Sequence, residues 1–382
     1  MNTSLRHFKD VAVFLAVTLL ILILAGCGSS PQQPPPPPPP PPQKKVVPKF
    51  VYVANYGSDS VSAFSVTAST GNLSPVPGSP FPTDSEPFSL VLDSSAKFLY
   101  VINHGAFEIS VYGIGQDGGL SKVSGSPFFI APNPNGAVLS PSGKFLYVTT
   151  TDSGAGQIWK YSIDSSTGLI DPSSATSFPA GTLPVWLALD RTGKFLFASD
   201  IAAGQVLAFS VDQSSEDLHS VAGSPFTTGV FPNSVLASPK SDILYVPCQS
   251  NNAVFAYAID TATGTLSAVG GSPFAVGQVP LYVATDPASQ FLYASNAFSN
   301  DVSGFTIDSL NGALTPIAGS PFSAGFSPIF LAVDPSGTFL YVTGNSAITA
   351  YRISTGGSLG PSLGSFSVGD EPKTVAFISS LE

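Results

Sequence analysis

The sequence predicts an all-β fold of seven similar units arranged in a ring, and three observations support it. A stretch like residues 97–101 (KFLYV) recurs along the chain, its aromatic residue returning every 47 to 50 residues. The aromatic positions are Tyr52, Tyr100, Tyr147, Phe197, Tyr245, Tyr293 and Tyr341. Charged residues are only 10% of the chain, which suits sheets covered on both faces, and 36 Gly with 36 Pro indicate many turns. Because such short units must share a core with their neighbours, the period predicts a seven-bladed β-propeller.

Each unit is predicted to contain four antiparallel strands, as the third repeat illustrates. The first turn has Pro141 and Gly143 at the second and fourth positions, where each is favoured. The first strand carries small residues that suit a crowded axis, and the second is apolar on both sides. The four predicted strands are 134–139, 144–149, 158–163 and 170–178.

Five repeats end their fourth strand in Gly-Ser-Pro-Phe. These segments are 78–81, 125–128, 223–226, 271–274 and 319–322. Proline is tolerated there because an outermost strand has an unpaired edge, which the proline also protects from aggregation. The phenylalanine is then expected to fold inward between blades.

The two chain ends are predicted to close the ring together. The first repeat enters at a second strand, Phe50, and lacks an innermost strand. Residues 372–377 form a first strand that no later strand follows. Three N-terminal strands and one C-terminal strand would therefore complete the first blade.

The N-terminal segment is predicted to be a targeting signal and a tether. Arg6 and Lys9 precede a short apolar run, and the run ends in residues 24–27 (LAGC), which resemble the bacterial lipobox with Cys27 as the lipidated residue. An ordinary secretory signal with an incidental cysteine is the alternative. Nine consecutive prolines, 34–42, favour an extended polyproline spacer. The expected divisions are 1–26 signal peptide, 27–49 lipidated tether and 50–382 propeller. The absence of Asp after Cys27 favours the outer membrane, by resemblance to lipoprotein sorting.

Charge and cysteine content limit the partners. Without residues 1–26 the chain carries 12 basic and 23 acidic residues, which argues against nucleic acid and anionic lipid as partners of the propeller. The expected partners are a small molecule or an envelope protein, with membrane contact only through the lipid, and the protein is expected to be a monomer. Cys248 would lack a disulfide partner and is expected to be buried at a strand end, with a reactive thiol as the alternative.

Three repeats carry a signature that resembles the Tyr-Val-Thr-Asn propellers, at 52–55 (YVAN), 100–103 (YVIN) and 293–296 (YASN). The wider pattern joins residues 334–337 (DPSG) to a Phe-Leu-Tyr-Val strand. With the turn that contains Asp260 and Gly264, it resembles the seven-bladed lactonase family over residues 50–382. That family includes one type of 6-phosphogluconolactonase and the fungal muconate-lactonizing enzymes. The resemblance implies a hydrolase of a sugar-type lactone that needs no cofactor. A non-catalytic binding or scaffold propeller at the cell envelope is the alternative, since propellers host many functions.

Two features favour a neutral lactone over a phosphorylated one. Phosphate and carboxylate are gripped best by guanidinium groups, and only Arg191 and Arg352 remain beyond the signal, neither in a mouth loop. The phosphorylated lactone is also a cytosolic metabolite, whereas this chain carries an export signal.

The mouth of the axial channel is the predicted site, because the longer second-to-third loops and the blade crossings meet there. It is expected to be mostly acidic, with a cation such as Ca²⁺ as a minor possibility and no metal predicted. The predicted substrate-binding residues are Asn55, Tyr56, Glu86, Asp152, Asp200, Gln249, Asn296 and Lys373.

His104 and Glu108 are the predicted catalytic residues. Lactone hydrolysis needs a base for water and donors for the oxyanion. His104 stands in a mouth loop and Glu108 could orient it, with Lys373, Asn55 or loop amides as donors. The alternative is that His104 is a solvated loop residue, and His219, on an outer strand, is expected to be structural.

Overall fold

The computed structural model describes residues 46–381, which fold into seven antiparallel sheets. Each sheet has four strand positions from the inside outward, in chain order, except that the innermost strand of blade 1 comes from the C-terminus. The predicted seven-bladed, all-β architecture is therefore confirmed. Residues 1–45 and 382, including Cys27 and the proline run, lie outside the described residues. Within the described range, no helix is long and apolar enough to cross a membrane.

The inner and second strands pair from the axis outward. From blade 1 to blade 7, the inner strands are Pro372–Leu381, Pro87–Leu92, Pro134–Leu139, Pro184–Leu189, Leu236–Ala237, Pro280–Thr285 and Leu331–Val333. The second strands are Val46–Asn55, Phe98–Asn103, Phe145–Asp152, Phe195–Asp200, Ile243–Cys248, Phe291–Asn296 and Phe339–Gly344.

The third strands are Ser60–Val66, Glu108–Ile114, Ala155–Ile163, Gln205–Val211, Ala253–Ile259, Asp301–Ile307 and Ala347–Ile353. The fourth strand is continuous in blades 3 and 7, as Ile170–Pro179 and Leu359–Ser367. In the other five blades it is split, into Leu73–Pro75 and Phe81–Pro82, Leu120–Lys122 and Phe128–Phe129, Leu218–Ser220 and Phe226–Thr227, Leu266–Ala268 and Phe274–Ala275, and Leu314–Pro316 and Phe322–Ser323. Two 3₁₀ helices, Tyr56–Ser58 and Gln249–Asn251, follow second strands.

The hydrophobic core consists of seven layers, each between two neighbouring blades. Tyr52 and Leu99, for example, belong to the layer between blades 1 and 2, whereas Tyr341 and Val51 belong to the layer between blades 7 and 1. This last layer closes the ring. Because every sheet has a neighbour on both sides, second strands are buried on both faces, as their unbroken apolar sequence predicts.

The recurring Phe and Tyr reach into the next blade, which explains why they repeat. The Tyr52 hydroxyl donates to the Gly118 carbonyl at 3.0 Å, in the turn between the third and fourth strands of blade 2. Tyr341 closes the series by donating to the Gly71 carbonyl of blade 1 at 2.8 Å. Gly71 has φ of +76°, and a Cβ there would lie 2.5 Å from the Phe339 ring, so the turn requires glycine. Equivalent bonds run from Tyr147 to Glu216, Tyr245 to Gly312 and Tyr293 to Gly357.

The Gly-Ser-Pro-Phe segments cause the split fourth strands. In blade 1 the Ser79 hydroxyl accepts a hydrogen bond from the Ala63 amide at 2.8 Å, and the chain rejoins the third strand where Phe81 pairs with Val61. The Ser–Pro bond is cis in all five segments. Phe81 packs against the layer between blades 1 and 2, so the inward position predicted for this phenylalanine is confirmed.

The predicted closure is also confirmed. The strand Pro372–Leu381 pairs with Val46–Asn55 along its whole length, from Val46 with Leu381 to Asn55 with Pro372. The first described strand begins at Val46, four residues before Phe50. Val46 and Val47 extend the first ladder because the closing strand is long enough to pair with them.

Candidate functional site

The seven blades present the same backbone frame to the axial mouth. Each inner segment opens at a proline, and the residue before it is left-handed in six blades. In blade 2 that residue is Glu86, with φ of 57°, whose carbonyl accepts the His104 amide at 2.9 Å; in blade 1, Glu371 does the same for Tyr56 at 3.1 Å. Left-handed non-glycine residues are strained and concentrate at functional sites. The frame therefore fixes two sets of side chains at the mouth, those after the second strand and those after the proline.

The residues after the prolines form a pocket lined largely by aromatic rings, with a volume of about 240 Å³. The Tyr282 and Phe330 ring centroids lie 4.0 Å apart, and Trp186 meets Tyr282 edge to face at 5.3 Å. Phe88 lies 6.1 Å from Trp186. Because these rings come from blades 2, 4, 6 and 7, they meet at the axis. The lining residues are Phe88, Val185, Trp186, Asn233, Leu281, Tyr282, Ile329, Phe330 and Lys373.

Lys373 is the charged side chain of this lining. Its ammonium lies 4.8 Å from the Tyr56 ring centroid and 3.5 Å from a Glu371 carboxylate oxygen, and a quarter of its side chain is exposed. Asn233 donates its amide to the Gln249 side-chain oxygen at 3.1 Å. The pocket thus offers a cation beside an aromatic surface, which suits a developing oxyanion.

His104 is held in one tautomer by a backbone carbonyl. Its Nδ1 lies 2.9 Å from the Pro134 carbonyl oxygen in blade 3. A carbonyl only accepts, so Nδ1 carries the hydrogen and the neutral ring keeps its lone pair on Nε2. The ring centroid lies 6.3 Å from Tyr56 and 6.2 Å from Phe88. His104 is therefore a half-buried imidazole with a fixed orientation, next to Phe88 of the aromatic pocket.

Tyr56 and Glu86 form a fixed pair beside His104. The Tyr56 hydroxyl donates to Glu86 Oε2 at 2.8 Å, and the Glu86 amide donates to Asp59 Oδ1 at 2.8 Å. Burial and the hydrogen bond to Glu86 raise the pKa of Tyr56 to about 12, so Tyr56 stays protonated at neutral pH. Its neutral ring lies next to both the Lys373 ammonium and the His104 ring.

The role predicted for Glu108, orienting His104, is corrected by the structure. Glu108 is buried beside Asp84, and burial and the Asp84 charge raise its pKa. Burial also opposes ionisation of Asp84, but hydrogen bonds from Lys122 at 2.7 Å and Ser110 at 2.5 Å outweigh it and lower the Asp84 pKa. The Pro134 carbonyl orients His104 instead.

The other predicted binding residues do not join the pocket lining. Asn55 and Asn296 are fully buried at strand ends, where their amides bond serines such as Ser62 and Ser303. Asp200 is also buried and accepts the amides of Thr182, Leu183 and Ala203. Asp152 is exposed and bonds Ser153, while Gln249 reaches the pocket only through Asn233. Of the predicted set, the structure brings together Tyr56, Glu86, His104 and Lys373.

The carboxylates predicted at the mouth, such as Glu86 and Glu371, lie in the loops around the pocket and outside its lining. In the part of the chain that the structure describes, no carboxylate lines the axial pocket. The carboxylates bond loop amides and neighbouring side chains, as Asp370 does with Ser346 at 2.7 Å. Within residues 46–381, no group of three or more His, Cys, Asp or Glu side chains is placed to hold a metal ion. Cys248 is buried, as predicted, and burial raises its pKa to about 11.

The aromatic lining was missed because small residues were expected along the axis. That holds in blade 3, where a Cβ on Gly136 would lie 2.4 Å from the Val185 carbonyl oxygen. In blades 4, 6 and 7 the second residue after the opening proline is instead Trp186, Tyr282 or Phe330. The pattern Pro-x-aromatic at the start of an inner strand was the available signal.

The fold and the mouth together define a seven-bladed propeller of the lactonase type. The family model described as "Lactonase, 7-bladed beta-propeller" matches residues 46–126, 74–188, 186–284 and 280–377, and the chain belongs to this family. A comparison with curated protein sequences finds no match.

Solved structures share the fold at low sequence identity. A periplasmic gluconolactonase from Pseudomonas aeruginosa superposes with a TM-score of 0.73 at 18% identity, over 87% of this chain and 99% of that one. A candidate 6-phosphogluconolactonase from Bacteroides fragilis gives 0.74 at 20% identity, over 87% and 98%. A second candidate, from Bacteroides uniformis, gives 0.73 at 18%, over 88% and 100%.

Proposed function

We propose that this protein hydrolyses a lactone at the axial mouth, with His104 as general base. The observation that carries the proposal is the contact between His104 Nδ1 and the Pro134 carbonyl, which leaves Nε2 free to take a proton. Family membership supports the reaction class, and the names of the structural neighbours make a sugar-type lactone the candidate substrate.

The reaction follows from the groups at the mouth. His104 Nε2 removes a proton from water as the water oxygen bonds the lactone carbonyl carbon. The Lys373 ammonium stabilises the oxyanion that forms. When the carbonyl re-forms, the ring carbon–oxygen bond breaks, and the imidazolium returns the proton to the leaving alkoxide.

The test uses the chain's own second histidine as a matched control. His219 lies exposed on the outer strand of blade 4, far from the mouth. Replacing His104 with alanine should lower kcat for lactone hydrolysis by about 10² to 10⁴-fold, the usual contribution of a general base. His219→Ala should leave kcat unchanged, and both variants should keep the parent Tm. Equal activity of His104→Ala and the parent contradicts this role, and absence of turnover on any lactone favours a binding propeller.

We also propose that the protein is a lipoprotein of the cell envelope, anchored through Cys27 at the outer membrane. The lipobox-like residues 24–27 and the proline run support the proposal. We further propose that the protein is a monomer. Cell fractionation tests the anchor, because recovery of the full chain in the soluble periplasmic fraction would contradict it.

A further inference from the structure

The axial pocket contains few groups that can bond a substrate hydroxyl. Of its nine lining residues, five have hydrocarbon side chains: Phe88, Val185, Leu281, Ile329 and Phe330. Trp186 and Tyr282 each add one polar group, an indole N–H and a phenol hydroxyl. Asn233 already donates its amide to Gln249 and to the Phe231 carbonyl. Lys373 is the group assigned to the oxyanion. A fully hydroxylated sugar ring carries more hydroxyls than these few polar groups can bond, so some hydroxyls would lose water without gaining a partner, which weakens binding.

The same rings give an apolar group a well-formed site. The Tyr282 and Phe330 rings lie 4.0 Å apart, and Trp186 contacts both of them as well as Phe88, so the four rings form one cluster. Phenylalanines also stand on the rim loops that lead to the pocket. Phe231 is 46% exposed and Phe326 is 70% exposed, and they lie two and three residues before Asn233 and Ile329. The apolar character thus extends from the pocket into the adjoining loops.

We infer that the non-reacting part of the substrate is an alkyl or aryl group that occupies this aromatic pocket. The inference rests on the proposed function but replaces its sugar-type substrate with an apolar-substituted lactone, whose carbonyl then lies at the rim near His104 and Lys373. The lactones taken are neutral and apolar-substituted. A phosphorylated lactone is disfavoured, since Arg191 bonds Asp242 and Arg352 bonds the Ser69 carbonyl, both away from the pocket.

The experiment measures kcat/KM on δ-lactones with methyl, propyl and pentyl side chains, on dihydrocoumarin, and on glucono-1,5-lactone. The value should rise about fourfold per added methylene until the pocket is full. Glucono-1,5-lactone should be turned over more slowly than the pentyl lactone. A preference for glucono-1,5-lactone over every alkyl and aryl lactone would overturn the inference.

The two tryptophans supply matched variants. Trp186→Ala should flatten the chain-length series through KM, with kcat little changed. Trp159→Ala, on a third strand where Trp159 stacks on Tyr161, should leave the series intact. Should Trp186→Ala fail to fold, Leu281→Trp fills the pocket instead and should shorten the longest side chain accepted. An unchanged series in the variant that folds overturns the inference.

Binding separates this inference from the reaction. The cyclic ethers with the same side chains cannot be hydrolysed, and calorimetry on His104→Ala measures their binding. Chain-length-dependent binding without any lactone turnover would support the apolar pocket as a binding site and contradict the proposed lactonase function. Lactone turnover that ignores chain length would keep the function and overturn the pocket's role.

Discussion

The contacts between blades and the contacts around the axial mouth come from the same seven repeats. They differ in which part of the repeat is kept: the side chains between blades, and only the backbone at the mouth. Between blades, the same residue types recur, and in five of the seven blades the tyrosine hydroxyl bonds a carbonyl in the next blade's turn. At the mouth, the backbone recurs while the side chains differ, so that blade 3 has Gly136 where blade 4 has Trp186. Side chains that recur in every blade hold the ring together, whereas side chains that differ between blades form the candidate site.

The physical reason lies in how many partners each position has. A second-strand position packs against a neighbouring blade at each of the seven steps, so a similar side chain serves each time, tyrosine in six blades and phenylalanine in blade 4. Residues at the axis share one small space, and seven equal large side chains would not fit there. The axis therefore mixes small residues such as Gly136 with the rings of Trp186, Tyr282 and Phe330.

Removing the closing strand should have the largest effect on the repeated contacts. Deletion of residues 371–382 removes Pro372–Leu381 and leaves the inner edge of Val46–Asn55 unpaired. Since every blade is held by two neighbours, opening the ring at blade 1 should abolish the single cooperative unfolding transition. Circular dichroism during heating measures this. A truncated chain with the parent's sharp transition would show that blade 1 is stable without its innermost strand.

How far the sequence predicts each region follows from this contrast. The blade count, strand order and closure are predictable because each rests on a residue type that recurs at a fixed period, such as the Tyr52 series. The orientation of His104 is not, because its partner is the Pro134 carbonyl, a backbone atom 30 residues away in the next blade. The neighbours of Glu108 are equally hard to predict from the sequence, because Asp84 and Lys122 come from separate segments of the chain. Tertiary contacts of single blades leave no periodic signal.

Two tyrosines at equivalent positions allow the contact between blades to be measured as a single hydrogen bond. Tyr341 donates to the Gly71 carbonyl, whereas no group in residues 46–381 bonds the buried Tyr100 hydroxyl. Tyr341→Phe should lower the free energy of unfolding by about 1 to 3 kcal/mol, because the carbonyl loses its partner. Tyr100→Phe should be neutral or stabilising. Phe197 already occupies the same position in blade 4.

Chemical denaturation of the two variants gives the comparison directly. Equal losses would mean that the hydroxyl bond contributes nothing beyond ring packing, and the repeated tyrosine would then need another explanation. A larger loss for Tyr100→Phe would contradict the absence of a partner for the Tyr100 hydroxyl among the described residues.

The smallest effect is expected at the mouth, where Glu108 is a non-repeated charge. Its folded pKa is raised by burial and by Asp84, so the folded state holds its proton to higher pH than the unfolded state does. Stability from this group is present below its unfolded pKa and is lost as pH rises through the folded pKa. Glu108→Gln should therefore raise Tm slightly at pH 7 and leave it unchanged near pH 3.

Asp84→Asn is the control of opposite sign. The Asp84 pKa is lowered, so its ionised form stabilises the fold above the unfolded pKa, and that contribution is lost as pH falls through the folded pKa. The variant should melt below the parent at pH 7, with a gap that narrows in acid. Thermal scans of both variants between pH 3 and pH 8 separate the two trends. A Tm for Glu108→Gln below the parent's at pH 7 would mean that ionised Glu108 stabilises the blade. The contrast would then fail, because a charge that does not recur between blades would stabilise the fold as the recurring tyrosines do.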